Sequence, residues 1–306
     1  MNDQLNIDLE ASKKIIIEFI RNYAIEHRRG GAVVGLSGGI DSALVLKFCV
    51  EALGNRNILA IMLPERDSNT SNTKDAIRFA KVLGVKYIIK KLTPILSLVG
   101  IYRLYPPSFI FSRKFIERYV LKKRGSLSKR TGKDLFIANL EGGEDKELSK
   151  GIAYYRIKHR IRAMILFYYS ELNNYLLAGC ANKSEWLTGF FVKYGDSIAD
   201  IMPIIDLYKT QVFKMAEYLG VPDYILNKAP SPDLIPGLND EDALGITYKK
   251  LDVVLENLGQ GYSKEKIIET TGVSGNDIER VLEMINKSEV LRTNPVFLKM
   301  NLKRVI

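Results

Sequence analysis

A glycine-rich segment near the N-terminus carries residue types that bind phosphate. Between an apolar run and a helical pattern, the sequence reads Gly35-Leu36-Ser37-Gly38-Gly39-Ile40-Asp41-Ser42. Glycine lets the backbone approach an anion closely, serine hydroxyls donate hydrogen bonds, and a following helix N-terminus adds N–H groups and a positive dipole end. We therefore predict that residues 35–42 hold the phosphates of a ligand.

Asp41 indicates that this loop works together with a divalent cation. A carboxylate beside bound phosphates is repelled unless Mg²⁺ lies between them. The loop is not a Walker A motif, because no Gly-Lys-Ser/Thr closes it, and the dinucleotide pattern G-x-G-x-x-G is absent. The chain has two cysteines, Cys49 and Cys180, and two histidines, His27 and His159. A disulfide framework or a four-ligand zinc site is therefore excluded, and metal chemistry must rest on carboxylates.

Strands and helices alternate around this loop and must position it. Short apolar runs predict buried strands, and helical spacing of apolar residues predicts the helices between them. The predicted strands are 32–36, 58–63, 87–89 and 175–178, and the predicted helices are 9–28, 41–53, 74–83, 154–172 and 210–219. This alternation implies right-handed βαβ units, so we predict an α/β fold with a doubly wound parallel sheet. We predict one domain over residues 1–306, with a helical C-terminal region at about 240–306.

Composition narrows the class of protein. The 306 residues are 46% hydrophobic and 26% charged, as in a folded globular chain. No run reaches the roughly 20 apolar residues of a membrane span, and the first residues lack a basic segment followed by an apolar one. We therefore expect a cytoplasmic protein with no membrane partner.

The net charge of +10 is concentrated in one segment. Residues 103–133 hold ten Lys or Arg against the single acid Glu117. Two interpretations stay open for this basic insertion, which we place at about residues 100–150. It is either a solvated loop or a clamp for the phosphates of a substrate or a nucleic acid.

Several motifs resemble one family in their order and spacing. Residues 37–42 resemble the pyrophosphate-binding loop of the N-type ATP pyrophosphatases, enzymes that use ATP to adenylate a substrate. Later segments are similar to the ammonia-dependent NAD synthetases, and they read Asn182-Lys183-Ser184-Glu185, Lys193-Tyr194-Gly195-Asp196, Ala199-Asp200, Asp206-Leu207-Tyr208-Lys209-Thr210-Gln211-Val212 and Pro230-Ser231-Pro232-Asp233-Leu234. The resemblance covers most of the chain outside residues 100–150, and it implies the adenine nucleotide alpha hydrolase-like form of the fold.

The resemblance also implies an activity and a set of site residues. That family converts the nicotinate carboxylate of deamido-NAD to an acyl-adenylate with MgATP, releases diphosphate and lets ammonia displace AMP. The implied catalytic residues are Asp41, Glu185 and Lys209, of which Asp41 and Glu185 are the implied Mg²⁺ ligands. The implied ATP-binding residues are Gly35, Leu36, Ser37, Gly38, Gly39, Ile40, Asp41, Ser42, Cys180, Lys209 and Ser231. The implied contacts to the acceptor acid are Arg160, Lys193 and Asp200.

Departures from the family pattern bear mainly on the acceptor acid. Cys180 replaces a threonine with a weaker hydrogen-bond donor. Ile198 stands where the family has glycine, and Arg156 and His159 stand where it tends to asparagine and alanine. A His-Lys pair expected to touch deamido-NAD is replaced around Arg292.

Three hypotheses stay open for these departures. The chain is a diverged NAD synthetase, or a paralogue that adenylates and amidates another carboxylic acid. The third, a tRNA-modifying ATP pyrophosphatase, ranks lower because an added RNA-binding domain or paired cysteines are absent, so a nucleic-acid partner is not expected. We expect free ammonia, or a separate glutaminase, to supply nitrogen. The resemblance suggests a homodimer whose interface includes the helix over 154–172.

Overall fold

Short strands and many helices make up the chain in the computed structural model, which describes residues 5–104, 113–132, 134–142, 145–230, 238–293, 295 and 298. The strands are β1 (Ala32–Gly35), β2 (Ile58–Met62), β3 (Lys86–Ile89) and β4 (Leu176–Ala178). The helices are α1 (Leu9–Glu26), α2 (Ile40–Leu53), α3 (Thr70–Val82), α4 (Thr93–Leu98), α5 (Arg113–Thr131), α6 (Leu135–Glu141), α7 (Lys146–Asn173), α8 (Lys183–Thr188), α9 (Lys209–Tyr218), α10 (Asp223–Leu226), α11 (Asp240–Leu244), α12 (Tyr248–Gly259), α13 (Lys264–Thr271) and α14 (Gly275–Arg292). Each predicted strand and helix is present.

The four strands form one parallel sheet in the order β3-β2-β1-β4. In the register, Val34 pairs with Ala60 of β2 on one side and with Ala178 of β4 on the other. Every residue of β2 and β4 is buried. Because strands covered on both faces bury all their side chains, they read as continuous apolar runs in the sequence.

Helices cover both faces of this sheet. On one face, Val34 and Ala60 pack in a core that α1, α2, α3 and α9 share. On the other face, Val33 and Leu177 pack with Leu166 of α7. The predicted doubly wound α/β fold is therefore confirmed.

The topology brings two strand-to-helix loops together. The loop from β1 to α2 and the loop from β4 to α8 both leave the carboxyl ends of parallel strands that are neighbours in the sheet. In open α/β sheets, ligands bind at this edge. The loop after β2 leaves the same edge, since β2 is the other neighbour of β1.

The C-terminal helices have a hydrophobic core of their own. It contains Leu251 and Val254 of α12, Met284 of α14, and Ile137 and Leu140 of α6. Because α6 lies within residues 100–150, part of the predicted insertion is a packed element. The single-domain organisation stays a prediction.

The basic helix α5 exposes four of its charged side chains, whereas Lys123 is half-buried and forms an ion pair with Glu147 at 2.7 Å. Arg118, Lys122, Lys129 and Arg130 are exposed, and Arg130 forms an ion pair with Asp145 at 2.6 Å. The two interpretations of this segment both stay predictions. Within the residues that the structure describes, no helix is both long and apolar enough to cross a bilayer.

Candidate active site

The loop between β1 and α2 is shaped by one glycine and two serines. Gly38 has a φ of +85°, and a Cβ atom there would lie 2.3 Å from the carbonyl oxygen of Asn72, so only glycine fits. The Ser42 hydroxyl accepts from the Ser37 N–H at 3.2 Å and donates to the Gly39 carbonyl at 3.0 Å. No side chain among the described residues caps α2, which leaves its first N–H groups available to an anion.

Lys209 joins two carboxylates that come from adjacent loops. Asp41 lies in the first turn of α2, Glu185 in the first turn of α8, and Lys209 at the start of α9. The Lys209 Nζ atom is 2.6 Å from Asp41 Oδ2 and 3.2 Å from Glu185 Oε1, and its side chain is 2% exposed. The structure thus brings the three sequence-predicted catalytic residues together, and their roles stay predictions.

A capping box fixes Glu185. The Asn182 side chain accepts from the Glu185 N–H at 3.0 Å, and Glu185 Oε2 accepts from the Asn182 N–H at 3.3 Å. This is the reciprocal pattern that an N-x-x-E spacing at a helix start produces. Asn182 Nδ2 also donates to Asp41 Oδ1 at 2.9 Å, so the cap connects both carboxylates.

A buried carboxylate that sequence reasoning missed holds α8 and α9 in place. Asp252 of α12 is fully buried and accepts hydrogen bonds from the Ser184 hydroxyl and, at 2.8 Å, from the Thr210 N–H. Ser184 Oγ in turn accepts from the Lys209 N–H at 2.9 Å. Asp252 therefore connects the C-terminal core to the start of α9, and no local motif signals this role.

The centre of the site holds more acids than its lysine balances. Burial raises the pKa of Glu185 to about 8, although Lys209 opposes the rise. Burial likewise raises the pKa of Asp240 to about 6. Burial disfavours the charged form of Lys209, yet Asp41 and Glu185 hold its pKa above the usual value. The three neighbouring acids therefore favour an added positive charge.

The donor set fits a hard divalent cation. Asp41 and Glu185 offer carboxylate oxygens close enough together to share one ammonium group. The buried Asp240 also lines the cavity, and its Oδ1 atom has no hydrogen-bond partner among the described residues. Within the described ranges, no group of three or more His, Cys, Asp or Glu could hold a metal. Mg²⁺ is usually held by one or two carboxylates together with phosphate oxygens and water, which suits this arrangement.

These groups line a cavity of about 320 Å³ that extends to one face of α7. The loop of residues 35–42 contributes to its lining, together with Glu185, Lys209 and Asp240. The wall from α7 consists of residues at helical spacing, namely Tyr155, His159, Arg162, Ala163 and Leu166. The half-buried Cys180 lines the cavity too, and burial raises the pKa of its thiol well above the usual value, so the thiol is neutral.

A buried ion network ties α7 to the loop after β2. Lys158 is fully buried, and its Nζ atom donates to Glu65 at 2.8 Å and to Asp67 at 2.7 Å. The Tyr102 hydroxyl donates to Glu65 at 2.7 Å, and the Tyr154 hydroxyl donates to Asp67. Since the loop after β2 also lines the cavity, this network sets the position of two of its walls.

The residues predicted to bind the acceptor acid lie elsewhere. Arg160 is exposed, and its Nε donates to the Lys193 carbonyl at 3.3 Å. Lys193 Nζ donates to the Val290 carbonyl at 2.9 Å, and the Asp200 carboxylate accepts from the Leu177 N–H at 2.7 Å. Neither Arg160, Lys193 nor Asp200 is among the described residues that line the cavity. Their roles stay predictions, and Ser231 lies outside the described residues.

Comparison with known proteins decides the family. A family model for NAD synthase matches residues 13–103 and 134–295 of this chain. The chain belongs to the NAD synthase family. The NH(3)-dependent NAD(+) synthetase of Thermotoga neapolitana is 45% identical over 280 residues, which cover 92% of this chain and 93% of that protein. The interval between the two matched ranges holds most of the basic segment.

Solved structures of NAD synthase relatives share the fold. The NMN synthetase from Francisella tularensis has a TM-score of 0.71 at 25% identity, covering 97% of this chain and all of that one. The NH3-dependent NAD synthetase from Campylobacter jejuni, in complex with the nitrate ion, has a TM-score of 0.69 at 26% identity, covering 96% of this chain and all of that one. The similarity therefore extends over nearly the whole length of each structure.

Proposed function

We propose that this protein is an ammonia-dependent NAD synthetase that amidates deamido-NAD at the expense of ATP. The observation that carries the proposal is the meeting of an anion-binding loop, the Asp41–Lys209–Glu185 cluster and the α7 wall in one cavity. Membership of the NAD synthase family and the names of the relatives support it. They also favour amidation over the tRNA-modifying hypothesis.

The chemistry explains why a phosphate site is needed. A carboxylate is a poor electrophile because oxide is a prohibitive leaving group, whereas an acyl-adenylate can expel AMP. ATP is therefore the co-substrate, and its β and γ phosphates leave as diphosphate. The Ser37 and Ser42 hydroxyls and the N–H groups at the start of α2 would hold that diphosphate. Lys209 would place a positive charge beside the phosphates as negative charge develops.

Mg²⁺ is part of the proposal. Asp41 and Glu185 would hold the ion together with phosphate oxygens. Asp240 lies close enough for the charges of Lys209 and Asp41 to act on its pKa. When bound, the ion supplies charge neutralisation at the phosphates. The protein's own contribution is to fix both carboxylates, through the Asn182 cap and the buried Asp252.

We further propose a homodimer that uses the exposed apolar stripe of α7. Met164, Tyr168 and Leu172 are spaced four residues apart and are 57%, 60% and 65% exposed. Such a stripe on a long helix is typical of an interface. Arg160 and Lys193 are outside the cavity, so a partner subunit at this face could bring the acceptor acid to them. A cytoplasmic location stays a prediction.

A second candidate keeps the chemistry and changes the acid. Ile198 lines the cavity and is 37% exposed, so its side chain takes up space beside the acceptor. The structural similarity to an NMN synthetase points to the mononucleotide acid as the alternative substrate.

The test is a turnover assay with identified products. The purified protein is incubated with MgATP and ammonium, with deamido-NAD, with nicotinate mononucleotide or with neither acid, and products are identified by mass. We expect NAD, AMP and diphosphate in equal amounts with deamido-NAD, and little diphosphate without an acid. NMN formation in the absence of NAD formation would favour the second candidate. ATP binding without turnover of either acid would contradict both.

A further inference from the structure

A second lysine contacts the loop of residues 35–42. Lys228 follows α10, and its Nζ atom donates to the Gly38 carbonyl at 3.3 Å and to Asn72 Oδ1 at 3.2 Å. The same atom forms an ion pair with Asp75 at 2.5 Å. Lys228, Gly38 and Asn72 line the cavity, whereas Asp75 is not among the described residues that line it. The ammonium group of Lys228 therefore lies at the cavity wall, between the loop and α3.

Packing of α10 on α3 holds this lysine in place. The Arg78 guanidinium of α3 lies over the Tyr224 ring of α10, 4.2 Å from its centroid. The Lys228 N–H donates to the Ile225 carbonyl at 3.3 Å, so the backbone turns directly after α10. Lys228 thus reaches the loop from a different element than Lys209, which lies at the start of α9.

The loop itself provides hydrogen-bond donors but no positive side chain. Residues 35–42 contain neither lysine nor arginine. In a Walker A loop, by contrast, a lysine of the loop reaches the terminal phosphates. Lys209 supplies one positive charge here, but Asp41, Glu185 and Asp240 all act on it. A departing diphosphate carries several negative charges, so a further cation at the loop would stabilise it.

Lys228 is the basic residue best placed to supply that charge. The described residues with basic side chains that line the cavity are His159, Arg162, Lys209 and Lys228. Burial lowers the pKa of His159 to about 4, so its ring is neutral at pH 7. Arg162 belongs to the α7 wall, whereas Lys228 donates directly to the loop at Gly38.

The contact with Asp75 can be exchanged for a phosphate. The side chains of Lys228 and Asp75 are 27% and 23% exposed, and a partly exposed ion pair contributes little to stability. An ammonium group carries three hydrogens on a flexible stem. It can therefore keep its hydrogen bond to the Gly38 carbonyl while another hydrogen turns from Asp75 to a phosphate oxygen.

We propose that Lys228 binds the β and γ phosphates of ATP by exchanging Asp75 for phosphate oxygens, an inference that rests on the function proposed above. In the adenylation step, a carboxylate oxygen of the acid bonds to the α phosphorus. The bond from that phosphorus to the bridging oxygen breaks, and its electron pair stays on diphosphate. Lys228 and Lys209 stabilise this charge from two sides of the loop, and no proton has to move.

The experiment measures binding of Mg-diphosphate and of AMP to Lys228→Met by calorimetry. Methionine keeps much of the stem and removes the charge. We expect diphosphate to bind at least about tenfold more weakly, as for the loss of a hydrogen bond between charged groups, and AMP to bind within about twofold of the wild type. In the turnover assay, the KM for MgATP should rise while the KM for the acid stays unchanged.

Two further variants serve as controls for charge and for the loss of an ion pair. Lys13→Met is the matched control, because the Lys13 side chain is also 27% exposed and forms an ion pair with Glu51 at 2.8 Å. Lys13 is not among the described residues that line the cavity, so this variant should leave diphosphate binding unchanged. Lys228→Arg keeps the positive charge and should recover most of the affinity for diphosphate.

Asp75→Asn separates phosphate binding from a structural ion pair. If Lys228 only fastened the loop to α3, removal of either partner would weaken diphosphate binding. If Lys228 turns to the phosphates, Asp75→Asn frees its ammonium group, so we expect diphosphate to bind as tightly as in the wild type or more tightly. This variant keeps the lysine, and it therefore tests the inference even where Lys228→Met does not fold.

The outcomes distinguish this inference from the proposed function. Weaker diphosphate binding in Asp75→Asn would indicate a structural ion pair and would overturn the inference. An equal loss of AMP and diphosphate binding in Lys228→Met would overturn it too, since it would indicate a general distortion of the loop. If the wild type binds neither MgATP nor Mg-diphosphate, the proposed function fails. If the wild type and Lys228→Met bind both equally, this inference alone fails.

Discussion

The two ends of the cavity are built in different ways. The proposed ATP side, formed by residues 35–42 with Glu185 and Lys209, comes from loops that leave neighbouring strands and from the start of α9. The proposed acceptor side, formed by the α7 wall with Gly195, Asp196 and Ile198, depends on which face a long helix presents. The predicted ATP-binding residues that the structure describes meet around one cavity, whereas the predicted acceptor-binding Arg160 is exposed and the neighbouring His159 lines the cavity.

This difference shows that contacts are easier to predict from sequence for residues in loops after strands than for residues within a helix. Loops at the carboxyl ends of adjacent parallel strands converge whatever their sequence, so a motif there predicts a place as well as a chemistry. Successive residues of a helix point about 100° apart, so a one-residue difference exchanges a wall residue for a surface residue. A motif on a helix, such as residues 156–162, therefore does not by itself predict which of its residues line a cavity.

Removing a carboxylate on the ATP side should have the largest effect. Asp41→Asn or Glu185→Gln takes one negative charge from the proposed Mg²⁺ site, and we expect diphosphate release to fall at least about 100-fold. Asp206→Asn is the matched control, because this carboxylate belongs to the same motif region but is 91% exposed. Unchanged melting curves would show that the fold is intact, and a full rate in both site variants would contradict the metal assignment.

The excess of acids on the ATP side should make stability depend on pH. Burial raises the folded-state pKa of Asp240 to about 6, so between about pH 4 and 6 the folded state holds a proton that the unfolded state releases. Stability therefore falls as pH rises through this window, by about 2–3 kcal/mol. Urea unfolding at pH 4.5 and 7 should show a smaller fall in Asp240→Asn. An equal fall in the free energy of unfolding between the two pH values in both proteins would contradict the assignment of this pH dependence to Asp240.

Restoring glycine on the acceptor side should change use of the acid and spare use of ATP. Ile198→Gly frees space in the cavity, and we expect the KM for deamido-NAD to fall severalfold while the KM for ATP stays within twofold. Steady-state kinetics with each substrate varied in turn provide the measurement, and Ile198→Ala should fall between. An equal change in both KM values would mean that the two sides are not separable.

Restoring a hydroxyl on the ATP side should have the smallest effect. Cys180→Thr replaces a weak donor with a better one, and one added hydrogen bond of about 0.5–1.5 kcal/mol would lower the KM for ATP roughly two- to tenfold. Cys49→Ala is the control, because Cys49 is fully buried in α2 and does not line the cavity. An unchanged KM for ATP would contradict the prediction that a hydroxyl at position 180 donates a hydrogen bond to ATP.

Local pattern was enough to predict much of the molecule. The apolar runs predicted the strands, and their alternation with helices predicted the doubly wound sheet. The start of α8 was not among the predictions, although the N-x-x-E spacing of Asn182 and Glu185 is a local signal for it. The grouping of Asp41, Glu185 and Lys209 was implied by the family resemblance and not by local pattern.

Features that depend on contacts distant in the chain could not be predicted. The network around Lys158 joins α7 to the loop after β2, and Asp252 reaches α8 and α9 from the C-terminal core. Ile137 and Leu140 belong to that same core although they follow a strongly basic stretch. In each case the residue type suits several environments, and only tertiary packing decides among them.

The pairing of β1 with β4 has a consequence for the kinetics of folding. Asp41 and Lys209 are 168 residues apart in the chain, and Asn182 and Asp41 are 141 apart. These contacts carry a large loop-closure entropy, and non-local pairing of this kind is slow. We therefore expect helix formation after dilution from denaturant to precede recovery of enzymatic turnover. The delay between the two signals would measure how long the loops after β1 and β4 take to come together at the sheet edge.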